Sequence, residues 1–260
     1  MLKRAAPLAG IGAGIAIPIA LLAALELAVG MGAVNRALVP APSAVWTELV
    51  AIISRGKLWA PLGDTLSLMF TAYICASVLA VIVGVIMGRS RAAYNLLEPL
   101  VEVIRPLPKP ALLPPLILFL GIGNEMKLVI VGLAVFFPVL INTIQGVRGV
   151  DPVLVDMART FGYGPGRIAT RIVLPAALPF IFTGLRISLG LGLILVVVAE
   201  MLAGTGGIGY LIVDMQRSFR VTSMYAWLFI LAALGFALNF AFEWLERRLL
   251  FWSRQQEKGG

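Results

Sequence analysis

An all-α fold of membrane-crossing helices follows from three features of the sequence. Apolar residues make up 60% of the chain and charged residues only 13%, with a mean hydropathy of +0.98. A soluble chain carries about 25% charged residues, so most of this surface has to face lipid. The apolar residues are gathered into runs of the length a bilayer crossing needs, about 17–25 residues. Between the fourth and fifth runs lies a long stretch with no such run, Asp151 to Pro175, patterned as helix, turn and helix. We therefore expect one domain over residues 1–260. Its six spans fall at about 10–34, 65–88, 100–123, 128–144, 180–202 and 224–245, with a helix–turn–helix loop over 148–176.

Lys3 and Arg4 precede the first run, which exceeds the about 7–15 residues of a signal-peptide core and so reads as a retained span. Glu26 inside it is costly unless it faces protein or the interface. Pro40, Pro42 and Ser43 then introduce a short amphipathic helix, Ala44 to Ser54, with Trp46 as an interfacial anchor. Span two ends at Arg89 and Arg91. Its Gly84 and Gly88 suit close helix packing, although chance also supplies G-x-x-x-G in a glycine-rich chain. Cys75, the single cysteine, has no disulfide partner and reads as a packed small residue.

Span three is irregular. Arg105-Pro-Leu-Pro-Lys-Pro110 is followed by only Ala111 to Gly123 as an uninterrupted apolar run, itself holding Pro114 and Pro115. The span must recruit residues upstream of Arg105 or be a broken helix. A broken helix at membrane depth is tolerated where it is buried in protein or lines a watery cavity. Either a wall of a transport path or a kinked packing helix fits. Span four carries Pro138, Asn142 and, near its inner end, Gln145; span five carries Arg186, Ser188 and Glu200. Arg186 and Glu200 are about 21 Å apart along a helix, too far to pair, and Arg186 is expected to snorkel inward. Glu200 either reaches water at the outer end or serves as a gate. Span six leads to Glu243, Glu246, Arg247 and Arg248, which fit i, i+4 pairs.

In the loop, Asp151 is a helix N-cap and Pro152 occupies the first helical position. Leu154, Met157, Ala158 and Phe161 fall on one helix face. Gly162, Gly164, Pro165 and Gly166 end that helix in a sharp turn. A second short helix with Arg167 and Arg171 on one side closes at Leu174-Pro175. Such a platform suits docking a soluble partner better than it suits chemistry.

Of the 21 Lys and Arg residues, fifteen fall on the side of the termini and of this loop if the chain starts inside (Arg186 included). The positive-inside rule then puts both termini and the platform in the cytoplasm. The net charge of +8 is spread through inter-span loops, which points to a membrane and not to nucleic acid. There is no histidine, no pair of cysteines and no carboxylate cluster, so catalytic residues and metal ligands are not expected. Gly204, Gly206 and Gly209 match G-x-G-x-x-G, but no strand precedes them, and a glycine-rich turn is the better reading. No phosphate-binding G-x-x-x-x-G-K-[ST] occurs.

Asp156-Met157-Ala158, three residues, Gly162, nine residues and Ile172-Val173-Leu174-Pro175 resemble the EAA loop of ABC-importer permeases, with Asp for Glu and Met for the first Ala. Pro106-Leu107-Pro108, Phe119 to Gly123, Phe136-Phe137-Pro138, Thr183 to Arg186 and Ala199-Glu200-Met201 are similar to the nitrate, sulfonate and taurine branch of that family. The resemblance implies a type I importer fold and a permease subunit, not itself an enzyme, in a bacterial inner membrane. It implies a second permease copy, two ATPase subunits that carry the ATP and Mg, and a periplasmic binding protein; no cofactor is expected on this chain. Asp156, Met157, Ala158, Gly162, Arg167, Arg171, Ile172, Leu174 and Pro175 become the expected coupling residues. Pro114, Pro115, Asn142, Ser188 and Glu200 are the candidates for the path or its gate. An ion-coupled carrier or channel, which needs no ATPase, is the alternative; it would want paired broken helices or relay residues in two symmetric halves.

Overall fold

Helices account for every regular element that the computed structural model contains over the described residues, 7–250, with side chains described from residue 16. Lys3, Arg4, Arg254 and Lys258 of the charge count lie outside them. Helix α1 is Pro7–Gly30, α2 Pro42–Ser54, α3 Trp59–Arg89, α4 Arg91–Ile104, α5 Leu113–Leu120 and α6 Asn124–Arg148. They are followed by α7 Pro152–Thr160, α8 Pro165–Ile168, α9 Leu174–Ala203, α10 Ile208–Arg217 and α11 Val221–Leu249. Among the described residues, four helical stretches are long and apolar enough to cross a membrane: α3, α6, Pro165–Ala203 and α11. A fifth crossing is available if α4 and Lys109–Leu120, bent by 89° at a break, form one span. The residues of α1 from Ala16 make a shorter apolar helix.

The chain divides into two units, one made of residues up to Ala60 with Leu211–Leu231, the other of Pro61–Tyr210 with residues from Ala232 on. In the first, Glu26 accepts hydrogen bonds from the Ser43 amide (3.0 Å) and hydroxyl (2.7 Å). An α1 carboxylate thus caps the start of α2, which has no side-chain cap of its own, and this explains a charge inside an apolar helix. Trp46 stands exposed on α2, as an interfacial anchor should.

In the second unit α6 and α9 make the most extensive helix pair. Small residues spaced by four on α9 make this possible. A Cβ on Gly184 would lie 2.9 Å from the Asn142 Cβ, and one on Gly192 would lie 3.3 Å from Val135. Ser188, between them, is fully buried and donates to the Leu185 carbonyl at 2.9 Å. Gly84 and Gly88 of α3 admit Thr143 and Val147 of α6, each within 2.7 Å of where a Cβ would be, so that G-x-x-x-G is a packing device.

Several expectations are corrected. The third span is broken as one of the two expected readings had it, at residues 105–108, where Pro106 and Pro108 lack donors, while Pro114 and Pro115 do not interrupt a helix. Those two occupy the exposed first turn of α5, where a missing N–H costs nothing. Leu174-Pro175 does not close the second loop helix: a π-turn over Ala169–Val173 joins α8 to α9 without interruption. The wider i→i+5 turn leaves room for a residue that cannot donate. Arg186 is not a lone snorkelling cation; it pairs with Glu243 (3.6 Å) and Glu246 (3.5 Å) of α11. Cys75 is exposed beside Ile74, Val78 and Leu79, because in lipid an apolar run does not have to turn inward.

Candidate functional site

Two constructions stand at the opposite ends of the Pro165–Ala203 helix. At one end is the loop platform. The Asp151 carboxylate accepts from the Val153 amide at 2.8 Å and caps α7. Helix α7 stops in a Schellman motif: the Tyr163 amide donates to the Ala158 carbonyl (3.0 Å) and the Gly162 amide to that of Arg159 (2.9 Å). Gly162 holds φ at +78° with open space around it, so backbone conformation alone demands glycine there.

Below α7, Ala158 is 5% exposed and packs in a cluster with Val147, Ile168, Val173, Ala177 and Ile181. Ile172 and Leu174 are half-buried against the same cluster. The Arg89 guanidinium donates to the Pro165 carbonyl at 3.1 Å and ties the end of α3 to α8. The platform is thus bolted to three long helices.

The expected apolar face of α7 divides on folding. Val155 and Ala158 turn inward, whereas Val153, Leu154, Met157 and Phe161 stay exposed, Phe161 at 76%. Beside them Asp156 and Arg159 form an exposed ion pair at 2.9 Å, while Arg167 and Arg171 stand exposed on the second helical stretch. Three apolar side chains on a nine-residue helix and Phe161 at its C-cap thus form an exposed apolar patch edged by charges.

At the other end, Glu200 is 2% exposed, which overturns the expectation that it could simply reach water. Its carboxylate accepts from the Thr65 hydroxyl (2.9 and 3.0 Å) and from the Gly209 amide (2.9 Å). The Thr65 hydroxyl oxygen in turn accepts from the Ile208 amide at 2.9 Å. The orphan donors at the start of α10 are thereby satisfied by side chains of α9 and α3. Glycines let the backbone wrap the carboxylate: a Cβ on Gly207, whose φ is +93°, would lie 2.2 Å from Glu200 Oε1. One on Gly209 would lie 2.4 Å from the Val197 carbonyl. Beside this clasp a cavity of about 420 Å³ is lined by Asp64, Asn124, Thr205 and the buried Lys127, whose charge acts on Glu200.

The sequence reading singled out Glu200 but missed Thr65, Lys127, Gly207 and Gly209. The available signal was a run of glycines directly after an intramembrane carboxylate. Asn142 is half-buried, donates to the Pro138 carbonyl at 2.8 Å and lines a different cavity. Ser188 lies in the α6–α9 seam, and Pro114 and Pro115 on exposed surface. The five path candidates are therefore not brought together in one place.

Comparisons with known proteins agree on the family. The profile of the binding-protein-dependent transport system inner membrane component matches residues 76–251. The chain is 30% identical over 244 residues to a putative aliphatic sulfonates transport permease protein, SsuC, of Bacillus subtilis, covering 94% of this chain and 88% of that one. It is 32% identical over 218 residues to the taurine transport system permease protein TauC of Escherichia coli, covering 82% and 79%. Among solved structures, the inward-facing MetNI methionine ABC transporter superposes with a TM-score of 0.62 at 21% identity, over 74% of this chain and 97% of the compared one, a likeness of fold. This all-α, multi-pass chain belongs to the binding-protein-dependent transport system inner membrane components and is a permease subunit of an ABC importer.

Proposed function

We propose that two copies of this chain, each with six spans and both termini in the cytoplasm, form the path by which an ATP-driven importer takes up a small organic anion. A binding protein delivers the solute on the outer side. Two ATPase subunits grip the platforms on the inner side. ATP binding closes the ATPases, and the platforms transmit that movement to the spans, so that one two-state element is biased by a ligand with unequal affinity for its states. The sulfonates and taurine for which SsuC and TauC are named support an anion of the sulfonate class.

The observation that carries the coupling role is the exposed apolar patch of Leu154, Met157 and Phe161 on a helix otherwise bolted down through Ala158. An apolar patch edged by charges and held rigidly is suited to a groove on a soluble partner. Phe161→Asp is expected to abolish co-purification of the ATPase and uptake while membrane insertion persists; normal co-purification would sink the role. Reversing the charges of Arg167 and Arg171 is expected to weaken the same recovery. Sidedness has its own check. A cysteine at Thr160, in a Cys75→Ala background, should resist impermeant thiol reagents added to intact cells. Uptake that needs ATP and ignores proton uncouplers separates this reading from an ion-coupled carrier.

A further inference from the structure

Helix α4 ends at Ile104 and the chain turns by 89° before Lys109–Leu120. Three prolines, Pro106, Pro108 and Pro110, prevent the helix from continuing and leave carbonyls of the turn short of backbone donors. The Lys109 ammonium gathers there: it donates to the carbonyls of Ile104 at the end of α4 (2.9 Å) and of Arg105 (3.0 Å) and Leu107 (3.0 Å) in the turn. The same nitrogen lies 4.8 Å from the centroid of the Phe137 ring. Phe137 is buried at the middle of α6, a 25-residue helix, so the break stands at about half the height of a span.

A cavity of about 410 Å³ opens against the break. Arg105, Lys109 and Asn142 line its polar side, and Phe137, Ile141 and Leu191 its apolar side; no carboxylate lines it. Arg105 leans on Glu102 at 3.8 Å, but both are about half exposed, and such a pair holds a guanidinium weakly. Lys109 is solvated by its three carbonyls, but the Arg105 guanidinium beside an apolar wall is costly unless water or an anion solvates it. Irregular backbone at membrane depth belongs where it lines such a cavity, and broken helices hold transported solutes near the midplane.

We propose that this cavity is an anion subsite of the transport path. Arg105 takes the acid group of a small organic anion, and Phe137, Ile141 and Leu191 take its hydrocarbon part. Lys109 is a positioning residue: it fixes the end of α4, and its charge adds to the field that Arg105 presents. The site deepens the anion-import reading and rests on it for the identity of the solute, but its charge can be tested without transport.

Cys75 is the only cysteine, so Cys75→Ala with Ile141→Cys places one thiol in the cavity wall. The permease–ATPase complex in detergent is treated with either of two methanethiosulfonates, one carrying a sulfonatoethyl group and the other a trimethylammonioethyl group. The anionic reagent is expected to react faster by on the order of tenfold, as field focusing in a cationic cleft allows. Ethanesulfonate in solution should slow both. Arg105→Gln should bring the two rates near parity, and Arg105→Lys should keep the preference. Lys109→Met should reduce it too, but because that change can also disturb the break, Arg105→Gln carries the test. Equal rates in the parent, no reaction with either reagent, or a preference unchanged by Arg105→Gln would overturn the site. A preference that behaves as expected in an importer that takes up neither ethanesulfonate nor taurine would instead overturn the sulfonate reading and leave the anion subsite standing.

Discussion

The two ends of the Pro165–Ala203 helix are built on opposite plans. The platform is made from neighbours in sequence: a cap, a proline, a nine-residue helix and a glycine stop, with its outer face open. The clasp depends on Thr65, which is 135 positions from Glu200 and 143 from Ile208 and is brought to them around one buried carboxylate. A local construction with an exposed apolar face offers a grip to something outside the chain. A long-range construction around a buried, hydrogen-bonded carboxylate holds parts of the chain to one another. On the proposed function, the difference marks the first end as the one an ATPase would handle and the second as the one that holds the helices together.

Changes at the clasp should therefore cost most. Glu200→Ala strands the Gly209 amide and removes the acceptor of Thr65 from a buried site, and we expect a loss of about 3 kcal/mol, seen as a lower Tm in detergent. Gly207→Ala should come next, at about 2 kcal/mol, since its Cβ would meet the Glu200 carboxylate at a φ that L-residues resist. At the platform the expected losses are smaller and of another kind. Gly162→Ala should cost about 1 kcal/mol and Gly162→Asn less, because the space is open and only φ is at stake; equal losses would show a steric constraint instead. Asp156→Asn breaks an exposed pair and should leave Tm within about 0.5 kcal/mol of the parent. If it nevertheless weakens ATPase recovery, the contrast between a held end and a handled end is sharpened. If the platform changes cost more stability than the clasp changes, the contrast fails.

The same difference governs what could be read in advance. Asp151, Pro152, Gly162 and the apolar spacing of α7 were legible because each acts within a few residues of itself. The inward turn of Val155 in place of Leu154 was not, since only the packed helices below decide which of two adjacent apolar sectors is covered. Glu200 was visible as a charge in an apolar run, but its partner Thr65 sits in another span and carries no pattern. The surroundings of Lys109 were not legible for a related reason. Hydropathy sees only a proline-broken cationic stretch, whereas the contact with Phe137 of α6 is made by a residue distant in sequence. Lipid also removes the usual link between apolar and buried, which is why Cys75 went astray.

The π-turn at Ala169–Val173 has a mechanical consequence. With no hinge between α8 and α9, the second half of the platform and the long apolar helix after it are one continuous rod of 39 residues. At 1.5 Å per residue it is roughly 58 Å long, nearly twice the thickness of a bilayer's hydrocarbon. A twist applied to its lower tip has to arrive at Glu200, like torque along a driveshaft. Deleting one residue inside that turn would re-clock the far end by about 100° and so carry Glu200 out of reach of Thr65.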